Sequence, residues 1–158
     1  MEFKTDILKL FDKEWALVAA GTKESFNMMT ISWGMLGTIW SRPAATVYVR
    51  TSRYTHDFMD REDMFTVSFL PEDMRDTLVL LGRESGRDID KMHVKGLELA
   101  DRNDAIVFKN ASVTLVCKKL FKQRVDSKNI PADILERYYN GAAEHDMYIG
   151  EVVDVIYK

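Results

Sequence analysis

The sequence predicts a mainly β protein, an antiparallel barrel with short helices at its periphery. Three observations carry this reading. Short apolar runs, several alternating with period two, recur at Trp15–Ala20, Phe26–Trp33, Ala45–Arg50, Met64–Leu70, Ser112–Gln123 and Asp146–Tyr157. Some lie at hairpin-like spacing. Helical segments are short and do not follow nearly every strand, as a parallel doubly wound sheet requires. Neither G-x-G-x-x-G nor G-x-x-x-x-G-K-[ST] occurs in the chain.

At 158 residues the chain is expected to form one domain over its whole length. A composition 46% hydrophobic and 30% charged is ordinary for a soluble globular protein. A net charge of −3 argues against a nucleic-acid binder, which shows a basic stripe. No apolar run approaches a membrane span, and the start M-E-F-K-T-D-I-L-K-L-F lacks a signal-peptide pattern. The expected location is cytoplasmic. The single cysteine, Cys117, excludes an internal disulfide framework and a cysteine-based zinc site. His56, His93 and His145 show no metal-ligand spacing.

Taken in order, Phe3–Asp12 is amphipathic and reads as a short helix or lead-in. Trp15–Ala20 reads as a buried strand ended by Gly21. A loop of roughly five residues, Gly21–Ser25, returns the chain into Phe26–Trp33 as a hairpin. In that second strand Asn27, Met29, Ile31 and Trp33 point one way and Met28, Thr30 and Ser32 the other. Gly34 and Gly37 loosen the chain before Thr38–Trp40. Ser41-Arg42-Pro43 forms a turn, and Ala45–Arg50 is a strand with Val47 and Val49 on its apolar face. Thr51–Thr55 leads into a short helix ending near Arg61, with Thr55 as candidate N-cap. Met64–Leu70 is a strand. Pro71-Glu72-Asp73 starts a helix whose buried stripe is Met74, Leu78 and Leu81, with Gly82 as its stop. Glu84–Lys91 is a polar loop with a helical turn from Asp88. Ile106–Phe108 and Ser112–Gln123 read as strands, Pro131–Tyr139 as a helix closed by Asn140-Gly141, and Asp146–Tyr157 as the last strand.

Three stretches carry chemistry. Thr30 and Ser32 place two hydroxyls about 7 Å apart along one side of a strand. That suits a flat heterocycle needing hydrogen bonds along its edge, and it equally suits a half-wet strand in which Thr is a good β-former. Arg50-Thr51-Ser52-Arg53-Tyr54-Thr55 joins two guanidinium groups and hydroxyls to a helix start, which suits one phosphate without a glycine-rich loop. It also fits a solvated turn. Ser85-Gly86-Arg87-Asp88, followed by Asp90-Lys91, offers close backbone approach and positive charge, and reads alone as a loop.

In order along the chain, N-x-M-T-x-S-W, R-x-S-R-Y-T, F-x-V-S-F and S-G-R-D-x-D-K resemble the flavin reductase-like family of FMN-binding split barrels. The likeness covers roughly Met28 to Leu97 and, more loosely, the whole chain. It implies a Greek-key split β-barrel that forms a homodimer with FMN near the subunit interface. Carried over by position, Met29, Thr30, Ser32 and Trp33 would lie along the isoalloxazine and ribityl. Arg50, Ser52, Arg53 and Thr55 would surround the phosphate, and Ser85, Gly86, Arg87 and Lys91 would close the site. The implied activity is a flavin reductase-like oxidoreductase passing electrons through FMN from NAD(P)H or a redox protein. The alternatives are a non-catalytic FMN-binding module, an electron carrier, or an empty barrel serving as an interaction protein. Hydride transfer calls for no amino-acid acid or base, so no residue is assigned to catalysis.

The remaining features read as structural. Cys117 continues the alternation of Val113 and Leu115 as a buried thiol, and the nine methionines fill the core. His56 and His93 read as surface histidines. Asn110-Ala111-Ser112 matches a glycosylation acceptor without meaning in the cytoplasm. Trp40 suits the core, the ligand site or a dimer seam.

Overall fold

The computed structural model describes residues 4–158, so Phe3 of the expected amphipathic lead-in lies outside the described residues. The lead-in begins as α1 (Ile7–Lys9) and runs into a π-helical turn, Leu10–Glu14. Leu10 and Phe11 are buried, while Ile7 and Leu8 are exposed. Trp15 then takes φ 65°, a conformation unfavourable to an L side chain. Arg75 holds that bend. Its guanidinium lies 3.3 Å from the Trp15 ring centroid and donates to the carbonyls of Lys13 (2.8 Å) and Glu14 (3.2 Å).

Seven strands follow: β1 (Ala16–Thr22), β2 (Ser25–Ile31), β3 (Gly34–Ile39), β4 (Arg42–Arg50), β5 (Met64–Phe69), β6 (Val113–Arg124) and β7 (His145–Tyr157). They form one antiparallel sheet in the order β2-β1-β5-β6-β7-β4-β3. The two edge strands, β2 and β3, are consecutive in sequence and joined only by Ser32 and Trp33. The three peptide steps from Ile31 to Gly34 span at most about 11 Å of extended chain. The sheet therefore curls until its two edges nearly meet, which makes it a barrel with one seam.

The core follows from that curl. Val18, Val47, Val49, Val67, Leu115, Cys117 and Tyr148 fill the interior. Burial pushes the Cys117 thiol up, leaving it inert. Leu17, Ala19 and Met28 instead face outward against Leu78 and Leu81 of α3 (Arg75–Arg83). Strands β1 and β2 are thus buried on both faces, the reason Trp15–Ala20 reads as a continuous apolar run.

Several local expectations are corrected. Thr22 pairs with Ser25, so the first hairpin turns on Lys23-Glu24 and is tighter than five residues. Gly34 and Gly37 do not loosen the chain; they belong to β3. A Cβ on Gly34 would lie 2.5 Å from the Phe11 ring, so this glycine serves packing. Trp40 and Ser41, at φ 51° and 57°, form the two-residue turn into β4, and Trp40 stays exposed against Phe121. Thr55 does not cap α2 (Tyr54–Arg61); Arg53 holds that position and Thr55 is buried within the helix. Gly82 lies inside α3, which ends at Arg83. Ile106–Phe108 forms only a single bridge, Leu99 to Phe108. β5 already pairs with β1 and β6 and has no free edge to offer it.

The helix α4 (Ala132–Tyr138) lies between β6 and β7. Among the described residues, no helix is long and apolar enough to cross a membrane.

Candidate functional site

At the seam, where β2 gives way to Ser32 and Trp33, the surface opens into a cleft of about 360 Å³. That lies within the range of small-molecule sites. β2 contributes Met29, Thr30 and Ile31, and the crossing contributes Ser32 and Trp33. Tyr48 and Arg50 come from β4, Arg53 from the residue before α2, and Gly82 from α3. Tyr138 ends α4 and His145 opens β7. The β4–β7 register sets Arg50 opposite His145, joining residues nearly a hundred positions apart.

One part of the cleft is aromatic. The Trp33 ring packs against Tyr138 at 5.2 Å, edge-on, and against His145 at 4.9 Å. Tyr139 Oη and His145 Nδ1 share a hydrogen bond of 3.0 Å. Burial, with Arg50 adding to it, lowers His145 to about 4, so its imidazole is neutral at pH 7.

The other part is cationic. Arg50 donates to the carbonyls of Ala143 (2.6 Å) and Tyr138 (2.8 Å), and Arg53 to the carbonyl of Gly82. Among the described residues, no carboxylate pairs with either guanidinium. Burial, then the neighbouring Arg50, pull Arg53 below the ordinary guanidinium value. Behind β2, the Lys91 ammonium donates to the carbonyls of Met28 (3.1 Å) and Leu81 (2.8 Å). Burial and then Arg53 lower it to about 8, with Glu84 opposing. Two of these cations, Arg53 and Lys91, thus cap the last turn of α3, whose free carbonyls favour positive charge. Within the cleft itself, Arg50 and Arg53 are the cations that an anion with oxygens to accept hydrogen bonds can reach, with Lys91 adding charge from behind β2.

Of the residues singled out from the sequence, Met29, Thr30, Ser32, Trp33, Arg50 and Arg53 line this cleft. The others lie beside it. Arg87 donates to the Ser52 carbonyl (3.3 Å) and to Asp57 (2.8 Å), and packs over the Tyr54 ring at 4.6 Å. The Ser85 hydroxyl accepts from the Arg87 amide at 3.1 Å. Thr55 accepts from Asn27 (2.8 Å), Gly86 packs on Asn27, and Lys91 is buried. The sequence reading missed Ile31, Tyr48, Gly82, Tyr138 and His145 as cleft residues. Tyr138-Tyr139 before Asn140-Gly141, and a histidine opening the last strand, were signals for two of them. Only the strand pairing shows that they meet Trp33.

The outcome for two other histidines differs. His93 is exposed, as expected. His56 is not a free surface group: its side chain is 12% exposed and its Nε2 lies 2.7 Å from Asp146.

Solved structures with the same fold include flavoredoxin from Methanosarcina acetivorans, at TM-score 0.71 and 18% identity, covering 100% of this chain and 75% of that one. An FMN-binding protein from Thermus thermophilus with bound p-hydroxybenzaldehyde matches at TM-score 0.70 and 20% identity, over 100% and 82% of the two chains. An NADH:FAD oxidoreductase from Streptomyces globisporus matches at TM-score 0.67 and 16% identity, over 92% and 75%. At these identities the likeness is one of fold, and the fold is the split barrel expected from the sequence. No curated protein matches the chain. Residues 8–158, the whole of the seamed barrel and all of its cleft, match the flavin reductase-like domain, and the chain belongs to that family.

Proposed function

We propose that the cleft binds FMN and that the protein is an oxidoreductase passing electrons through it from NAD(P)H or a redox protein. The observation that carries this is the pair Arg50 and Arg53, cationic and, among the described residues, without carboxylate partners, in a cleft also lined by aromatic rings. The residues present fit the group. The arginines, with the start of α2 beside them, would hold a phosphate. Met29, Trp33 and Tyr48 offer apolar and aromatic surface to a flat ring system.

Bound flavin supplies the two-electron chemistry, and the protein's own residues bind and orient it. Thr30 Oγ1 donates to the Leu78 carbonyl at 2.6 Å, so toward a ligand this hydroxyl is an acceptor. Ser32 is exposed and free to donate. Together they would read a ring edge carrying both an N–H and a carbonyl. Neutral His145, fixed through Tyr139, adds a polar group that does not charge near pH 7.

The site also adjoins an apolar groove. Leu8 and Met35, 86% and 60% exposed, line it with Trp33 and Tyr139. A second copy of the chain would cover these groups, giving a homodimer with a flavin site beside its seam.

Titrating the purified protein with FMN and riboflavin, then following NADH and NADPH oxidation with FMN present, tests the reading. FMN binding tighter than riboflavin, and turnover above that of free FMN, are expected. Equal affinity removes the phosphate argument; tight FMN without turnover leaves an FMN-binding module or a carrier fed by a protein. Sedimentation equilibrium at micromolar concentration tests the dimer, which a clean monomer carrying FMN would overturn.

A further inference from the structure

Asn27 does not line the cleft, yet it touches both basic loops beside it. The residue is 3% exposed on β2, two positions before Met29. Its amide Nδ2 donates to Thr55 Oγ1 at 2.8 Å. Thr55 lies two residues after Arg53, in the first turn of α2. The other end of the same amide faces Gly86: a Cβ there would lie 2.1 Å from Asn27 Oδ1 and 2.9 Å from its Cγ. Gly86 is therefore a glycine because the Asn27 amide occupies the space a side chain needs. On the far side Arg87, the next residue, packs over Tyr54 and donates to the Ser52 carbonyl.

We propose that Asn27 is a positioning residue for the anion end of the cleft, its buried amide pinning the turn that carries Arg53 to the Ser85–Gly86 loop. The amide suits this task because one atom of its rigid plane donates to Thr55 while the rest of the plane packs on Gly86. The β2 backbone needs no such help. Its pairing with β1 sets Asn27 opposite Ala20 through main-chain bonds that a side-chain change leaves in place. Loss of the amide therefore loosens the two loops and spares Met29, Thr30 and Trp33. The inference rests on the proposed phosphate site and assigns it a residue that makes no contact with the ligand.

The test compares wild type, Asn27→Ala, Thr55→Val, Gly86→Ala and the double variant Gly86→Ala/Asn27→Ala. Each is titrated with FMN and with riboflavin, and amide exchange of residues 53–55 and 85–87 is followed without ligand. Asn27→Ala and Thr55→Val are expected to weaken FMN by roughly tenfold, the loss of one buried hydrogen bond, and to leave riboflavin nearly unchanged. Exchange in the two loops should rise together. Gly86→Ala should weaken FMN at least as much. Adding Asn27→Ala to it should cause no further loss, because the obstructing amide is gone and only Tyr54, at 3.0 Å, must yield slightly. Equal loss of FMN and riboflavin, or a Gly86→Ala effect indifferent to residue 27, overturns the pin. A wild type without preference for FMN overturns the phosphate site itself. If Asn27→Ala fails to fold, Thr55→Val carries the same comparison, since it removes the partner and keeps the volume.

Discussion

Two charged clusters meet at adjacent residues of β7 and are neutralised in opposite ways. His145 belongs to the cleft, where Arg50 and Arg53 donate only to carbonyls. Asp146, the next residue, points to the other face of the strand and is 1% exposed. It takes His56 at 2.7 Å, Lys122 at 3.1 Å and Arg124, while Asp60 takes Lys122 at 2.6 Å and the Tyr148 hydroxyl at 2.6 Å. Burial alone would raise Asp146, but hydrogen bonds from Arg124, His56 and Lys122 outweigh it and hold the carboxyl well below the usual range. His56, Asp60 and Asp146 are close enough together for a metal. Lys122 and Arg124 already occupy their oxygens. One cluster is closed charge against charge and serves the fold; the other keeps cations in surplus, as a binding site for an anion requires.

The largest effect expected is on the closed cluster. Asp146→Ala strands Arg124, Lys122 and His56 and should cost about 2–4 kcal/mol of stability, below the full buried-pair value because Arg124 and Lys122 are partly exposed. Urea melts measure it, and the preference for FMN over riboflavin should persist. A stable variant that has lost that preference would erase the distinction between the clusters. Arg53→Ala should show the mirror image. About 1.5–3 kcal/mol of FMN binding is lost, roughly ten- to a hundredfold in affinity, with stability changed by less than about 1 kcal/mol. Unchanged affinity would mean that the guanidinium serves only the Gly82 carbonyl.

The same division was only half visible in the sequence. Arg50 and Arg53 stand out because they share one short motif with a helix start. Their surplus charge was not visible, because no local pattern tells whether an arginine will meet a carboxylate. Asp146 and Arg124 look like ordinary ends of two strands until the β6–β7 register sets them opposite each other. His56 reads as a surface histidine for the same reason. Most of the strands were legible from their alternation. β3 was not, since Gly34 and Gly37 carry turn signals and only the Phe11 ring explains the first of them. Lys91 was placed in the site by its motif, whereas its ammonium lies under β2 on the carbonyls of Met28 and Leu81.

Titration sharpens the contrast further. His145 sits at about 4 in the fold and near 6.5 in the unfolded chain, so between those values the unfolded chain binds more protons. Stability should fall as pH drops from 6.5 toward 4, and His145→Gln should flatten that limb in pH-dependent melts. Asp146 contributes only below this window, because its carboxylate is held by its cations. Lys91 sits at about 8 against an unfolded value near 10.4, so its contribution to stability rises between those pH values. FMN affinity should nevertheless decline above pH 8 as the ammonium beside Arg53 loses its charge. An alkaline limb that survives in Lys91→Met would assign the decline to another group.

The smallest effect belongs to Thr30. Thr30→Val removes the hydrogen bond to the Leu78 carbonyl and should cost about 0.5–1.5 kcal/mol of stability. Riboflavin and FMN should weaken by the same factor if, as proposed, Thr30 faces the edge of the ring. Unequal factors would instead couple Thr30 to Arg53 through Gly82, which lies against both.

The strand order carries a consequence for synthesis on the ribosome. β1, β2 and β5 can pair early as one piece, and β3 with β4 as another, from chain that emerges first. Nothing in the sheet connects the two pieces until β6 and β7 arrive, because only the path β5-β6-β7-β4 joins them. From the end of β5 until β6 and β7 arrive, the nascent chain therefore carries two open half-sheets with unpaired edges. Such edges recruit foreign strands, and contacts between residues this far apart in the chain form slowly. The last strand closes the barrel, and with His145 at its first position it completes the cleft in the same step.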